Sequence, residues 1–201
     1  NTWVLPNYLN DQLWTFQSPH RNDSEDDPIV IGYMGGHTHA ADLQYVLPAL
    51  ERILDSYASR VRLSFWGGEP PGELRNRPQV SWAPLDMQDY AEFARFFAAQ
   101  PCDIFISPLV DNRFNQAKSA IKYLEYSALG VAGVYSRILP YESIVQDGKN
   151  GLLASAIDEW ILCLQKLIED PDLRLELGRS AQCTVQQGHL LSQHAGLWAA
   201  A

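Results

Sequence analysis

Short unbroken apolar runs, most of them stopped by glycine or proline, alternate with stretches of helical spacing about six times along this chain. Apolar residues three and four apart mark a helix, whereas a strand covered on both faces reads as one continuous apolar run. The runs lie at 29–34, 61–66, 80–82, 103–107, 131–135 and 151–153. Helical spacing covers 42–54, where Leu43, Val46, Leu47, Leu50, Ile53 and Leu54 share a face, and then 86–100, 118–129, 157–169 and 171–187. Pro171 opens the last of these in the first-turn position that proline tolerates. A short helical turn follows Pro140, and the tail 188–201 is expected to be helical. The alternation calls for an α/β fold, a doubly wound, Rossmann-like parallel sheet with helices on both faces.

Residues 1–28 read differently. Val4, Leu5, Pro6 and Asn7 look like a strand end running into a turn, and 18–28 is polar, with Asp23, Glu25, Asp26 and Asp27 close together. That composition marks a linker or exposed loop. The expected organisation is a linker at 1–28, one domain at 29–187 and a tail at 188–201. Hydrophobic residues at 46% and charged residues at 19% of the 201 exclude wholesale disorder. Fifteen Lys and Arg against 24 Asp and Glu leave a net charge of −9, which argues against a nucleic-acid partner because a phosphate backbone needs a basic face. Cys102, Cys163 and Cys183 are far apart and show no C-x-x-C spacing, which fits reduced thiols in the cytoplasm better than disulfides or zinc. The Asn22-Asp23-Ser24 sequon reads as chance without a secretory leader. No apolar run approaches the roughly 18 residues of a membrane span. The start at Asn1, without Met, suggests a fragment or processed piece.

Ligands of doubly wound sheets bind at the carboxyl ends of the strands. Three such ends carry chemistry here. Gly35, Gly36, His37, Thr38 and His39 join a strand to a helix, where glycine allows close backbone approach and free N–H groups attract phosphate. The alternatives are a plain tight turn with Thr38 or His39 as helix cap, and a metal pair at His37 and His39 that lacks an evident third ligand. The loop 108–119 runs polar into a helix start, so that Lys118 and the amides of Ala117, Lys118 and Ser119 could meet an anion; the alternative is a solvated loop. A cation in a helix's first turn opposes the macrodipole unless an anion is present. Glu125 lies seven residues beyond Lys118 on about the same helical face and could accept bonds from sugar hydroxyls, or simply pair with Lys122 on the surface. Asp42, Asp86 and Asp111 stand at helix starts or loops, where aspartate is common without catalytic meaning.

Lys118-Ser119-Ala120-Ile121-Lys122-Tyr123-Leu124-Glu125-Tyr126-Ser127-Ala128-Leu129-Gly130-Val131 resembles the donor-binding signature of the group 1, retaining (family four) glycosyltransferases of GT-B architecture. The stretch from Tyr141 and Glu142 to Gly148, Asn150, Gly151, Leu152 and Leu153 is similar to a turn of that family, and 160–177 to the helical pair that follows it. Residues 31–50, with the spacing of His39 and Asp42, resemble the first β–α unit of a bacterial subgroup. Pro6-Asn7 with Leu13-Trp14 resembles the interdomain crossover.

The resemblance implies one half of a GT-B enzyme, the C-terminal half that holds a nucleoside-diphosphate sugar, with an N-terminal acceptor domain as its missing partner. It implies no cofactor and no metal. It also implies a cytoplasmic setting in glycan biosynthesis, with any membrane contact made peripherally, at the inner face, through the full-length protein. Glu125 matches the second glutamate of the family's E-x7-E element, which holds the donor ribose, while the first falls at Ala117. Arg and Lys positions that neutralise the diphosphate fall at Gly35 and Ala41, so phosphate charge passes to helix N-termini, His37, His39, Lys118 or Lys122. Leu85 matches a position beside the nucleobase. The expected donor site therefore comprises Gly35, Gly36, His37, His39, Leu85, Asn115, Ala117, Lys118, Ser119, Lys122 and Glu125, with no covalent nucleophile evident. The lost glutamate and cations leave open a non-catalytic Rossmann-like interaction module, and the shared two-domain fold leaves open a sugar-nucleotide epimerase.

Overall fold

The computed structural model of the chain describes residues 6–19, 22, 27–87 and 89–199. Asp23, Glu25 and Asp26 and the strand end expected at Val4 and Leu5 lie outside the described residues. Six strands, β1 (Ile29–Gly35), β2 (Val61–Gly67), β3 (Val80–Ala83), β4 (Ile104–Ser107), β5 (Ala132–Ser136) and β6 (Leu152–Ala154), form one sheet in the order β3-β2-β1-β4-β5-β6. Every pairing is parallel, with Ile29 opposite Val61 and Ile31 opposite Ile104. The helices are α1 (Ala40–Tyr57), α2 (Tyr90–Ala98), α3 (Arg113–Gln116), α4 (Ile121–Ala128), α5 (Leu139–Glu142), α6 (Ile157–Glu169), α7 (Pro171–Gly188) and α8 (Leu191–Ala199).

Side chains alternate across the sheet, so successive strand residues feed two cores. Ile31, Leu63, Ile104 and Val134 face α1 and α6 and meet Leu47, Leu50, Trp160 and Leu164. Met34, Trp66, Phe105 and Tyr135 face α2 and α4 and meet Phe97, Tyr123 and Tyr126. Coverage on both faces explains why β1, β4 and β5 read as apolar runs, whereas β2 and β3, toward the edge of the sheet, expose Arg62 and Ser81. Pro48 lies inside α1, but both Pro48 and Gln44 one turn earlier are exposed, so the carbonyl that loses its amide partner can turn to water.

Two helices start later than their spacing predicts. α2 begins at Tyr90 rather than 86, because the Asp89 carboxylate accepts from the amides of Ala91 (2.6 Å) and Glu92 (3.0 Å) and fixes the start there. α4 begins at Ile121 rather than 118. The Asn112 side chain accepts from the Asn115 amide (2.8 Å) and caps α3, a separate short helix, and residues 117–120 form the link between them. Lys118 is therefore not in the first turn of α4, and it shares no helical face with Glu125.

The segment expected to be a crossover is anchored to the domain. Leu9 and Trp14 are buried in the second core, Leu9 forms a parallel bridge with Leu190, and the Tyr8 ring stacks on His194 at 3.9 Å.

Candidate functional site

Strand order reverses between β1 and β4, which turn to opposite neighbours, and a crevice opens at their carboxyl ends. The loop after β1 forms one wall and residues 108–120 the other. A single carboxylate joins the two walls. Asp42, in the first turn of α1 and 3% exposed, accepts through Oδ1 from the Val110 amide (2.8 Å) and the Asn115 side-chain amide (2.9 Å). Its Oδ2 lies 2.7 Å from His39 Nδ1 and 3.9 Å from Lys118 Nζ. Burial raises the Asp42 carboxyl, but the His39, Val110 and Asn115 bonds outweigh it and leave it below the usual carboxylate range. The bond to Asp42 favours the charged form of His39, yet burial and the nearby Lys122 and Lys118 prevail and leave it below its usual value.

Lys118, Lys122, Ser119, Ile121, Leu109, Tyr141 and His39 line a cavity of about 140 Å³ at the mouth of α4. Ala120, the residue before α4, offers no side-chain cap, so the first amides of this eight-residue helix keep their anion-attracting polarity. Lys122 is 9% exposed. Its Nζ lies 3.5 Å from the Tyr33 hydroxyl and 4.7 Å above the Tyr33 ring, and burial draws it down from 10.5 to about 8. Lys118 Nζ lies 5.0 Å over the Phe114 ring. On the other side of the α4 mouth a larger cavity, about 430 Å³, is lined by Asn7, Ala117, Lys118, Ser119 and Ser143 among others.

Glu125, one turn beyond Lys122, is 3% exposed. Its Oε1 accepts from the Tyr90 hydroxyl (2.8 Å), which in turn accepts from Trp14 Nε1 (3.0 Å). Burial raises its carboxyl to about 7 against the opposing pull of the Tyr90 bond and Lys122.

The structure brings His39, Lys118, Ser119 and Lys122 together and sets Glu125 just behind them. His37 does not join them; it lines a separate cavity of about 320 Å³ with Gly68, Glu69 and Arg75. Leu85 is half-buried beside Gly67, toward the β3 side of the crevice. Asn115 spends its side-chain amide on Asp42 and on the Val110 carbonyl (2.8 Å), so it braces the loop. The amides of Ala117 and Lys118, expected as phosphate donors, are engaged by the carbonyls of Phe114 (3.2 Å) and Asn115 (3.1 Å), because α3 ends there. The Ser119 hydroxyl accepts from Asn7 (2.8 Å). Glycine at 35 has a packing reason, since a Cβ there would fall 2.4 Å from the Tyr33 hydroxyl and 2.9 Å from Lys122 Nζ. Gly36 differs: its φ is −80°, and a Cβ would meet nothing within 4 Å.

Sequence reading missed Asp42, Tyr90 and Tyr33. The spacing of His39 and Asp42, which puts the pair on one face, was the only local signal, and Tyr90 carried none. Among the described residues no three His, Cys, Asp or Glu side chains stand close enough to hold a metal ion, and no helix is long and apolar enough to cross a membrane.

No curated protein matches the chain closely enough to count as a relative. Among solved structures, the C-terminal domain of a group 1 glycosyl transferase family protein (LpcC) from Francisella tularensis is similar at a TM-score of 0.63 and 16% identity, covering 91% of this chain and 99% of that one. Sucrose-phosphate synthase from Thermosynechococcus elongatus gives 0.67 and 16%, covering 98% of this chain and 52% of the other. Anabaena HepE in complex with UDP-glucose gives 0.67 and 16%, covering 96% and 56%. The chain thus spans about half the length of the last two. Such likeness establishes the six-stranded fold of GT-B C-terminal domains. The profile of the family described as Glycosyl transferases group 1 matches residues 28–170, well over half of the chain, and the chain belongs to that glycosyltransferase family.

Proposed function

We propose that this chain is the donor-binding half of a retaining glycosyltransferase, taking a sugar from a nucleoside-diphosphate sugar and passing it to an acceptor held by an N-terminal domain. The observation that carries the reading is the cavity at the uncapped mouth of α4, where His39, Lys118 and the buried Lys122 converge at the switch point of the sheet. A buried ammonium whose neighbours are a hydroxyl at 3.5 Å and the face of the Tyr33 ring is poorly solvated, and an anion supplies what water does not. HepE, a structural neighbour, was solved with UDP-glucose. The donor base lies along Leu85, the ribose against Glu125 and Tyr90, and the diphosphate over the mouth of α4. A ribose hydroxyl shares or replaces the Tyr90 bond to Glu125.

In retaining transfer the anomeric C–O bond breaks and negative charge grows on the departing diphosphate. Preorganised donors aimed at that charge lower the barrier more than any other contribution. Lys118, Lys122, a protonated His39 and the first amides of α4 meet it, taking over from the cations that Gly35 and Ala41 lack; neither a metal nor a covalent nucleophile from this half is invoked. The acceptor is a polysaccharide, glycolipid or other glycoconjugate. The setting is cytoplasmic, with any contact to the inner membrane face made through the full-length protein.

Calorimetry of UDP and GDP against Lys118→Ala and Glu125→Ala tests this. Loss of one charge-assisted bond in Lys118→Ala weakens affinity by roughly 10- to 100-fold. Unchanged affinity in both variants removes the assignment.

A further inference from the structure

We infer that nucleoside-diphosphate binding at the mouth of α4 places a proton on His39 Nε2, and that Asp42 is the positioning residue that makes it do so. The inference rests on the donor-site reading above. Asp42 Oδ1 is occupied by the Val110 amide and the Asn115 side chain, so only Oδ2 faces His39, at 2.7 Å from Nδ1. An ionised carboxylate can only accept. The hydrogen between them therefore belongs to Nδ1, and the neutral ring keeps its lone pair at Nε2. Lys118 Nζ, 3.4 Å from Nδ1, has no lone pair to accept from there, and it lies against Asp42 instead.

The groups around the ring come from every element packed on it. Asp42 belongs to α1, Lys118 to the link before α4, Lys122 to α4, and Tyr141 of α5 lines the same cavity. Tyr33 of β1 and Glu125 stand beyond, next to Lys122. Without a ligand, two cations and burial keep the ring neutral. A diphosphate reverses that balance. In a nucleotide sugar the diphosphate is esterified at both ends and has no hydrogen to give at neutral pH, so an oxygen of it meeting the Nε2 lone pair is repelled until the ring takes up a proton and becomes a donor. Lys118 and Lys122, now matched by negative charge, cease to oppose this.

Titration of the 201-residue chain with UDP-glucose, GDP-glucose and ADP-glucose at pH 7, by calorimetry in buffers of different ionisation enthalpy, counts protons taken up, because these diphosphates have no proton of their own to lose near neutrality. At that pH Lys122 is already mostly protonated and adds little, whereas Glu125, raised to about 7, also exchanges protons, so the count belonging to His39 is the difference between wild type and His39→Gln. The wild type takes up about half to one proton more per nucleotide than His39→Gln does, and its affinity falls up to about tenfold per pH unit above neutrality. Asp42→Asn gives the more telling result. The amide still accepts from Val110 and Asn115 but now donates to Nδ1, so the neutral ring carries its hydrogen at Nε2 and can serve phosphate without protonation. Proton uptake falls in this variant while binding persists, whereas a merely structural role for Asp42 lowers affinity and leaves the proton count unchanged. Nitrogen resonances of the wild-type ring need no variant: they report Nδ1–H in the free protein and a doubly protonated ring with UDP-glucose. A proton count that His39→Gln leaves unchanged, or an Nε2–H ring in the free protein, overturns the inference and leaves the donor site standing. Failure of all three nucleotides to bind overturns both.

Discussion

Replacing Lys122 by methionine separates what this residue does for the fold from what it does for a ligand. Methionine has nearly the same length and no charge. In the free protein the ammonium is 9% exposed, has a hydroxyl at 3.5 Å as its nearest bonding partner, and titrates at about 8 instead of 10.5. Each pH unit of depression corresponds to about 1.4 kcal/mol, so keeping the proton on buried Lys122 costs the fold about 3 kcal/mol at neutral pH. The sign follows from proton counting. Between about 8 and 10.5 the unfolded chain binds more protons at this lysine than the folded one, so stability rises with pH across that window and the cost disappears above it. Lys122→Met is therefore expected to be more stable than wild type by about 1–3 kcal/mol at pH 7, the lower end allowing for a stronger burial penalty on Glu125 once its neighbouring cation is gone. The gap should narrow by about 2 kcal/mol by pH 10. Urea unfolding followed by tryptophan fluorescence at pH 7, 8, 9 and 10 measures it. Burial raises Tyr126 and Cys102 well above their ordinary values, and whatever they add to the pH dependence is common to both proteins and cancels in the difference. In parallel, UDP affinity should fall by at least tenfold in the variant. A variant less stable than wild type at pH 7, or a stability gap that does not change with pH, refutes the account of Lys122 as a cation held against burial for an anion.

Glu125→Gln tests the opposite sign. Its folded value is raised to about 7 from 4.5, so wild-type stability is lost as pH rises from 4.5 through 7, and the glutamine variant should be more stable by about 2–3 kcal/mol at pH 8 and equal near pH 4, as read by pH-dependent denaturation. A pair of glycine variants contrasts clearance with strain. Gly36→Ala has open space and an ordinary φ, so its melting temperature should stay within about 2 °C of wild type while UDP-glucose affinity drops. Gly67→Ala places a Cβ 2.6 Å from the Gly35 carbonyl at φ +87°, and chemical denaturation should show a loss of about 2–4 kcal/mol. Asp89→Ala removes the cap of α2 and should cost about 1 kcal/mol in the same assay.

The alternation of short apolar runs and helical spacing determined the fold class from sequence alone, since strands between covering helices bury most of their side chains. The strands at 29–34, 61–66 and 131–135 were legible to within a residue or two for that reason. Helix starts were less legible because they depend on caps. Asp89 and Asn112 had to be seen accepting particular amides before α2 and α4 could be placed. The same shift moved Lys118 off its helix and closed the amides of Ala117 and Lys118 that the sequence reading had assigned to phosphate.

Residue types at three strand ends marked where a ligand would be met, because a doubly wound sheet exposes only those loops at its switch point. Which side chains converge there was decided by tertiary structure alone. Asp42 looked like an ordinary helix-start aspartate, and it became the joint between two walls only when folding brought Val110, Asn115 and Lys118 to it from about 70 residues away. The sequence left Glu125 open between a contact to sugar hydroxyls and a surface pair with Lys122, and both side chains proved buried, with values drawn toward neutrality by desolvation. Local pattern governs local backbone, whereas the charge state of a side chain depends on everything packed around it, and that is a property of the folded chain.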